Sequence, residues 1–163
     1  MEKMGTDMHV AIEVKRDEYS YAHSKVEPKW CFIKEWYVDR CYDLFGCFNN
    51  VRRFWENSLS LPVATDMSNH LKQRERDCCY GFYKVTPDVL KKKVLGWSPE
   101  PDKWDKENYG YERPYIDKEW FFGMSYYIGD DTYEDDPVNY LTYKLMLKHY
   151  GKENVRLIVF FDS

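Results

Sequence analysis

The sequence has no long hydrophobic run, no basic block and no signal-peptide core. Its longest apolar stretch, 155–161, is far shorter than the about 20 residues that cross a membrane. Lys and Arg number 24 against 28 Asp and Glu, which gives a net charge of −4 without a basic stripe. These absences predict a soluble cytoplasmic protein that binds neither membranes nor nucleic acids nonspecifically.

Standard metal and catalytic motifs are also missing. None of the five cysteines stands at CxxC spacing, so reduced thiols are expected and a zinc cluster is not. No stretch matches HExxH or a phosphate loop, and the acidic run 130–136 lacks EF-hand spacing. No cofactor is therefore predicted, and a divalent metal is kept as an alternative.

Aromatic residues are what the chain has in excess. They make up 18% of its 163 residues, including 15 Tyr and six Trp. Such side chains bury a large area and keep a polar tip for water, ligand or partner. The length suits one domain with a single core.

Three segments have strand patterns. Residues 8–15 alternate, with Met8 and Val10 on one face and His9 and Ala11 on the other. The segment 29–37 is expected to pair with it as a hairpin with a long loop. The last segment, 155–161, is apolar on both faces, which is typical of a central strand.

Helix patterns occupy other parts of the chain. Apolar residues at helical spacing predict a helix over 41–55 with Asp39 as N-cap. Thr86 followed by Pro87 predicts a short helix that stops at Gly96, and 69–77 has helical character. A last helix should run from Pro137 through Tyr150 and be largely buried.

The remaining segments complete the predicted architecture. Residues 97–120 read as a long aromatic loop or insertion, and 120–128 as a further strand. The prediction is a single α+β domain over 1–163, with a mixed or antiparallel sheet whose N- and C-terminal strands are central and with two main flanking helices.

The first strand carries three titratable side chains on one face. Asp7, His9 and Glu13 are separated by two and four residues, so they share a side of the strand. Carboxylates and imidazole together suit a divalent metal or a base with its orienting partner. The structural alternatives are a solvent-exposed face, or a hydrogen-bonded His9 beneath a helix.

Arg52 is a second candidate because it falls on the apolar stripe of the predicted helix. A guanidinium there needs an anionic ligand or an internal salt bridge, for which Asp7, Asp66 and Asp162 are available. Asp66 and His70 are four apart and would share a helical turn. A metal site, if one exists, would use Asp7, His9, Asp66 and His70.

Four segments of the chain resemble one family in the same order. "MGTDMHVAIEV" resembles an opening MG(C/T)DIH, "RCYDLFGCFNNVRRF" an NYDLF..LAGVRN segment, "LSLPVATDMS" an RGLPDDVS segment, and "VRLIVFFDS" a VRVVFWFDN ending. The family consists of small, mostly uncharacterised proteins of bacteriophages and bacteria. The resemblance implies a phage context and a set of ligand-binding positions, namely Asp7, His9, Tyr42, Asp43, Arg52, Asp66 and Asp162.

The chain departs from that family pattern in three places. The arginine before Gly-Leu-Pro is absent, Met67 replaces the second aspartate, and the small Ala-Gly pair before Val51 is lost. If the family's site uses the missing arginine, this chain binds without catalysing.

Three functions are compatible with these features. The first is a phage accessory protein that binds a small anionic, nucleotide-type ligand and counters host antiviral defence signalling. The second is a metal-dependent hydrolase or phosphoesterase, and the third a protein-binding inhibitor of a host enzyme. Ligand identity and oligomeric state are not encoded in any motif.

Overall fold

The first and last strands lie side by side at the centre of a four-stranded antiparallel sheet. The computed structural model describes residues 5–15, 29–52, 55–100, 114–129, 132–135 and 137–162. The strand order is β2-β1-β6-β3, with β1 at Asp7–Lys15, β2 at Trp30–Val38, β3 at Tyr80–Val85 and β6 at Val155–Asp162. A separate antiparallel pair consists of β4 at Ser125–Gly129 and β5 at Thr132–Asp135. The predicted α+β class and its central terminal strands are confirmed.

The two faces of the sheet are both covered. Met8, Val10 and Ile12 of β1 point into the larger core, which also contains Phe45, Phe48, Phe121, Phe122 and Phe161. On the second face, Ala11 packs with Ile158 and Phe160 under a smaller apolar cluster that includes Met67 and Leu71. Because both faces are buried, β6 is apolar along nearly its whole length.

Five α-helical segments accompany the sheet in the described part of the chain. They are α1 at Tyr42–Phe45, α2 at Asn69–Arg76, α3 at Pro87–Val89, α4 at Lys118–Phe121 and α5 at Val138–Tyr150. A π-helical turn, Leu90–Val94, continues α3, and a 3-10 turn, Lys152–Asn154, precedes β6. The predicted start at Thr86 is confirmed, because its hydroxyl accepts the Val89 N–H and Pro87 follows it.

The predicted helix over 41–55 is wrong. Helix α1 has four residues and begins after Cys41, not Asp39, and Asn49, Asn50 and Arg52 have φ of +52°, +67° and +68°. The Asn49 amide both donates to the Leu61 carbonyl and accepts from the Leu61 N–H, each at 3.1 Å. This side-chain pairing with the backbone replaces the helical hydrogen bonds, although Leu44, Phe48 and Val51 are buried as the pattern predicted.

Two further expectations need correction, and one strand has no counterpart among the predictions. Helix α5 has its predicted bounds, but Val138, Leu141 and Leu145 are about half exposed, so it is not largely buried. The segment predicted as a strand over 120–128 begins as α4 and becomes extended only at Ser125. Strand β3 was not predicted, because Gly81 interrupts a short segment without clear alternation.

The ends of the predicted aromatic loop are held together. Ile116 N–H donates to the Trp97 carbonyl at 2.8 Å, and Gly96 N–H donates to the Ile116 carbonyl at 2.7 Å. Asp117 then caps α4 by accepting from Trp120 N–H. Residues 101–113 of the loop lie outside the described residues. In the described part of the chain, no helix is long and apolar enough to cross a membrane.

Asn49→Ala should lower the free energy of unfolding by about 2 kcal/mol, since two hydrogen bonds are lost at about 1 kcal/mol each. Asn49→Gly loses the same bonds but tolerates the left-handed backbone, so it should be the less destabilised of the two variants. Urea denaturation measures both. An alanine variant as stable as the wild type would contradict the bridging role of Asn49.

Candidate functional site

Polar side chains occur at both ends of the second face of β1. Asp7 and His9 stand at its beginning, and Glu13 and Lys15 at its end, with Ala11 packed in the smaller core between them. Glu13 follows Asp7 by six positions along the strand, which corresponds to about 20 Å. The face therefore carries two separate polar groups.

The first group, here called the His9 cluster, consists of His9, Glu35, His70, Arg74 and Asp162. His9 Nε2 lies 2.8 Å from Asp162 Oδ2, and its Nδ1 lies 3.9 Å from Glu35 Oε1. Glu35 also pairs with His70 at 2.9 Å and with Arg74 at 3.1 Å. The two carboxylates are thus shared among two imidazoles and one guanidinium.

Rings hold the same cluster against the sheet. The imidazole of His9 is stacked on Phe160 with centroids 5.1 Å apart, and that of His70 on Phe32 at 3.8 Å. The Arg74 guanidinium lies over the Phe160 ring at 5.6 Å. Since His70 and Arg74 belong to α2, these contacts fasten α2 to the sheet, with His9 hydrogen-bonded as the structural alternative expected.

Two arginines, Arg40 and Arg52, bind the chain around the start of β1. Arg40 Nε donates to Asp7 Oδ1 at 2.6 Å, and this hydrogen bond, outweighing the effect of burial, lowers the pKa of Asp7. Gly5 permits the close approach, because a Cβ there would lie 2.9 Å from Arg40 Nη1. Asp7 therefore stays ionised at a lower pH than an aspartate with an ordinary pKa.

Arg52 is not the buried charge that the helix pattern predicted. It is exposed, its Nε donates to Thr6 Oγ1 at 2.6 Å, and its guanidinium lies 5.0 Å from the Tyr42 ring centroid. Tyr42 in turn accepts the Thr6 N–H at 3.4 Å. Asp43, on the same short helix, accepts the Trp55 indole N–H through its backbone carbonyl.

The second polar group is built on a buried ion pair between neighbouring strands. Glu13 and Arg156 are register partners, and Glu13 Oε1 accepts from Arg156 Nε at 3.0 Å and from Nη2 at 2.8 Å. Both side chains are buried, with exposures of 0% and 5%. Glu13 Oε2 also accepts the Ser68 N–H at 2.7 Å, just before α2. Every oxygen of this buried carboxylate is therefore paired.

A cavity of about 560 Å³ opens over Arg156, and we call it the Arg156 pocket. Its charged lining consists of five cations, Lys15, Lys29, Lys84, Lys152 and Arg156, and three carboxylates, Asp66, Asp88 and Glu153. Trp30 also lines it, with the Arg156 guanidinium 4.0 Å from its ring centroid. The lining thus has two more cations than carboxylates in a chain whose net charge is −4, and one of these cations, Arg156, is paired with the buried Glu13.

Two lysines of the pocket lie against each other. The close approach of the Lys29 ammonium group, its positive charge and burial all lower the pKa of Lys15, and Asp66 opposes the shift. Two neighbouring ammonium groups repel, so an anion between them would be stabilised.

The residues predicted as one site are divided between these places. Asp7, His9 and Asp162 lie at the start of β1, with Tyr42, Asp43 and Arg52 nearby, whereas Asp66 lines the Arg156 pocket at the other end. Asp66 also lies before α2, so the expectation that it shares a helical turn with His70 is wrong. In the described part of the chain, no three His, Cys, Asp or Glu side chains are grouped to hold a metal ion.

Sequence reasoning missed the residues that build the pocket. Arg156 was included in an apolar strand pattern, and the lysines are distant in sequence. One signal was present: Glu13 is the only acidic residue within the predicted strand 8–15, and Arg156 is the only charged residue within 155–161. Pairing those strands antiparallel would have placed the two charges as neighbours.

Comparison with known proteins adds no relative. No protein-family model matches the chain, and neither the curated proteins nor the solved structures give a significant match. The resemblance to the phage and bacterial family stays a prediction.

Glu13→Gln should destabilise the protein by about 3 kcal/mol, because it removes the fully buried partner of Arg156 and leaves only the half-exposed carboxylate of Asp66 on the guanidinium. The double variant E13Q/R156M removes both charges and keeps an acceptor for Ser68 N–H, so it should be more stable than E13Q alone. Urea denaturation of both variants measures this. If the free energy of unfolding of E13Q lies within about 1 kcal/mol of the wild-type value, the pair is not a strong structural constraint.

Proposed function

We propose that the protein binds a small anionic ligand of the nucleotide type in the Arg156 pocket. The observation that carries this proposal is the excess of cationic side chains around one cavity in an otherwise acidic chain. Charged hydrogen bonds from Lys and Arg are the usual means by which proteins hold phosphate and carboxylate groups.

The dimensions of the pocket support the proposal. A volume of about 560 Å³ lies within the range of small-molecule sites, about 300–1,000 Å³, and accommodates a mononucleotide. Trp30 adds an indole to the lining. The Arg156 guanidinium lies over one face of this ring, and a base stacked on the other face would contribute about 1–3 kcal/mol. A ligand with a phosphate and a flat ring would use both features.

The site differs from the one that the sequence predicted. Of the seven predicted positions, only Asp66 lines the Arg156 pocket, while the residues near His9 bind one another and fasten α2. The metal-dependent alternative has less support. Its four residues are divided, since Asp66 pairs with Arg156 and His70 with Glu35.

A biological role would follow from the ligand. If the ligand is a nucleotide signal of host antiviral defence, binding would lower its free concentration without any reaction. This role in a phage context is a proposal that rests on the family resemblance.

Lys15→Ala/Lys29→Ala should weaken binding of nucleoside mono- and diphosphates about tenfold or more, because two ammonium groups facing the pocket are lost. Isothermal titration calorimetry of the purified protein measures the affinity, which should also fall with added salt.

The matched control is Lys91→Ala/Lys92→Ala, which removes the same charge from exposed positions outside the pocket lining. The control should bind like the wild type. No heat and no thermal stabilisation with any nucleotide would contradict the proposal, as would an equal loss in both double variants.

A further inference from the structure

Within the pocket, the carboxylate of Asp66 is already hydrogen-bonded to the Arg156 guanidinium. Arg156 Nη1 lies 3.2 Å from Asp66 Oδ1, on the side of the guanidinium that Glu13 does not take. Exposures of 5% for the Arg156 side chain and 56% for the Asp66 side chain show which partner faces solvent. An anion that enters the pocket therefore meets Asp66 before it meets Arg156.

The charge balance makes Asp66 a second carboxylate on one guanidinium. Glu13 already neutralises Arg156 from inside the sheet. Burial raises the pKa of Asp66, but the charge and hydrogen bond of Arg156 outweigh it and lower the pKa overall, so Asp66 is an anion at neutral pH. Its carboxylate has the charge and the position of a ligand's anionic group.

The fold does not depend on this carboxylate to hold the chain in place. Arg156 Nη2 also approaches the Asp66 backbone carbonyl, at 3.5 Å, and Glu13 accepts the Ser68 N–H. Met67 between them is buried in the smaller core. The backbone of 66–68 is thus anchored while the exposed Asp66 side chain can rotate away.

We propose that Asp66 is a built-in competitor that lowers the affinity of the Arg156 pocket for anionic ligands. The inference rests on the proposed ligand binding at the same site. A ligand's anionic group must displace the Asp66 carboxylate before it binds Arg156, so every such ligand binds more weakly by the same factor, the fraction of the protein in which Arg156 is open. Only a ligand with further strong contacts in the pocket then binds tightly.

The test compares Asp66→Asn with Asp88→Asn, using adenosine 5′-monophosphate and acetate as probes in calorimetric titrations. Both variants remove one negative charge from the pocket lining, and Asp88 pairs only distantly with Lys152, at 3.9 Å. A general electrostatic gain is therefore common to both. Competition for Arg156 predicts a further gain in D66N alone, about fivefold or more and similar for the nucleotide and for acetate.

Three results would overturn the inference. They are equal affinity gains in D66N and D88N, weaker nucleotide binding in D66N, and a gain in D66N for the nucleotide without one for acetate. Each leaves the proposed function intact as long as the wild type binds the nucleotide. If neither the wild type nor D66N binds it, the proposed function itself fails, whereas binding by D66N alone would support the competition.

Discussion

The structure depends on one buried ion pair, Glu13 with Arg156. It joins the two central strands, and both side chains are almost entirely buried, so neither charge is solvated by bulk water as an exposed charge would be. Glu13 also fixes the Ser68 N–H before α2, while Arg156 forms the floor of the cationic pocket. A single interaction thus sets the strand register, the start of α2 and the orientation of the guanidinium that faces the pocket.

The polar residues of β1 have different roles at its two ends. At the beginning, His9 and Glu35 form ion pairs and hydrogen bonds with residues of α2 and β6. At the end, Lys15 lies beside Lys29 and faces a cavity. The first arrangement is internally paired and stabilises the fold, whereas the second has more cations than anions and supports binding.

Much of the architecture was predictable, because it depends on strong local patterns. The alternation of β1, the apolar β6 and the Thr86–Pro87 helix start all describe what the structure contains. The prediction of a helix over 41–55 was wrong, because apolar residues at helical spacing can be buried without a helix. Here Asn49 binds the backbone of Leu61 instead. The pocket could not be predicted, because Lys15, Lys84 and Arg156 come together only through strand pairing, which no local pattern specifies.

An NMR titration of the indole N–H signals with adenosine 5′-monophosphate tests ligand binding in the Arg156 pocket most directly. Trp30 lines the pocket, whereas the indoles of Trp36, Trp55, Trp97 and Trp120 donate to backbone carbonyls elsewhere and serve as internal controls. The account predicts a saturable shift of the Trp30 signal with those four unmoved. A Trp30 signal that does not respond, or that moves no more than the controls, would contradict it.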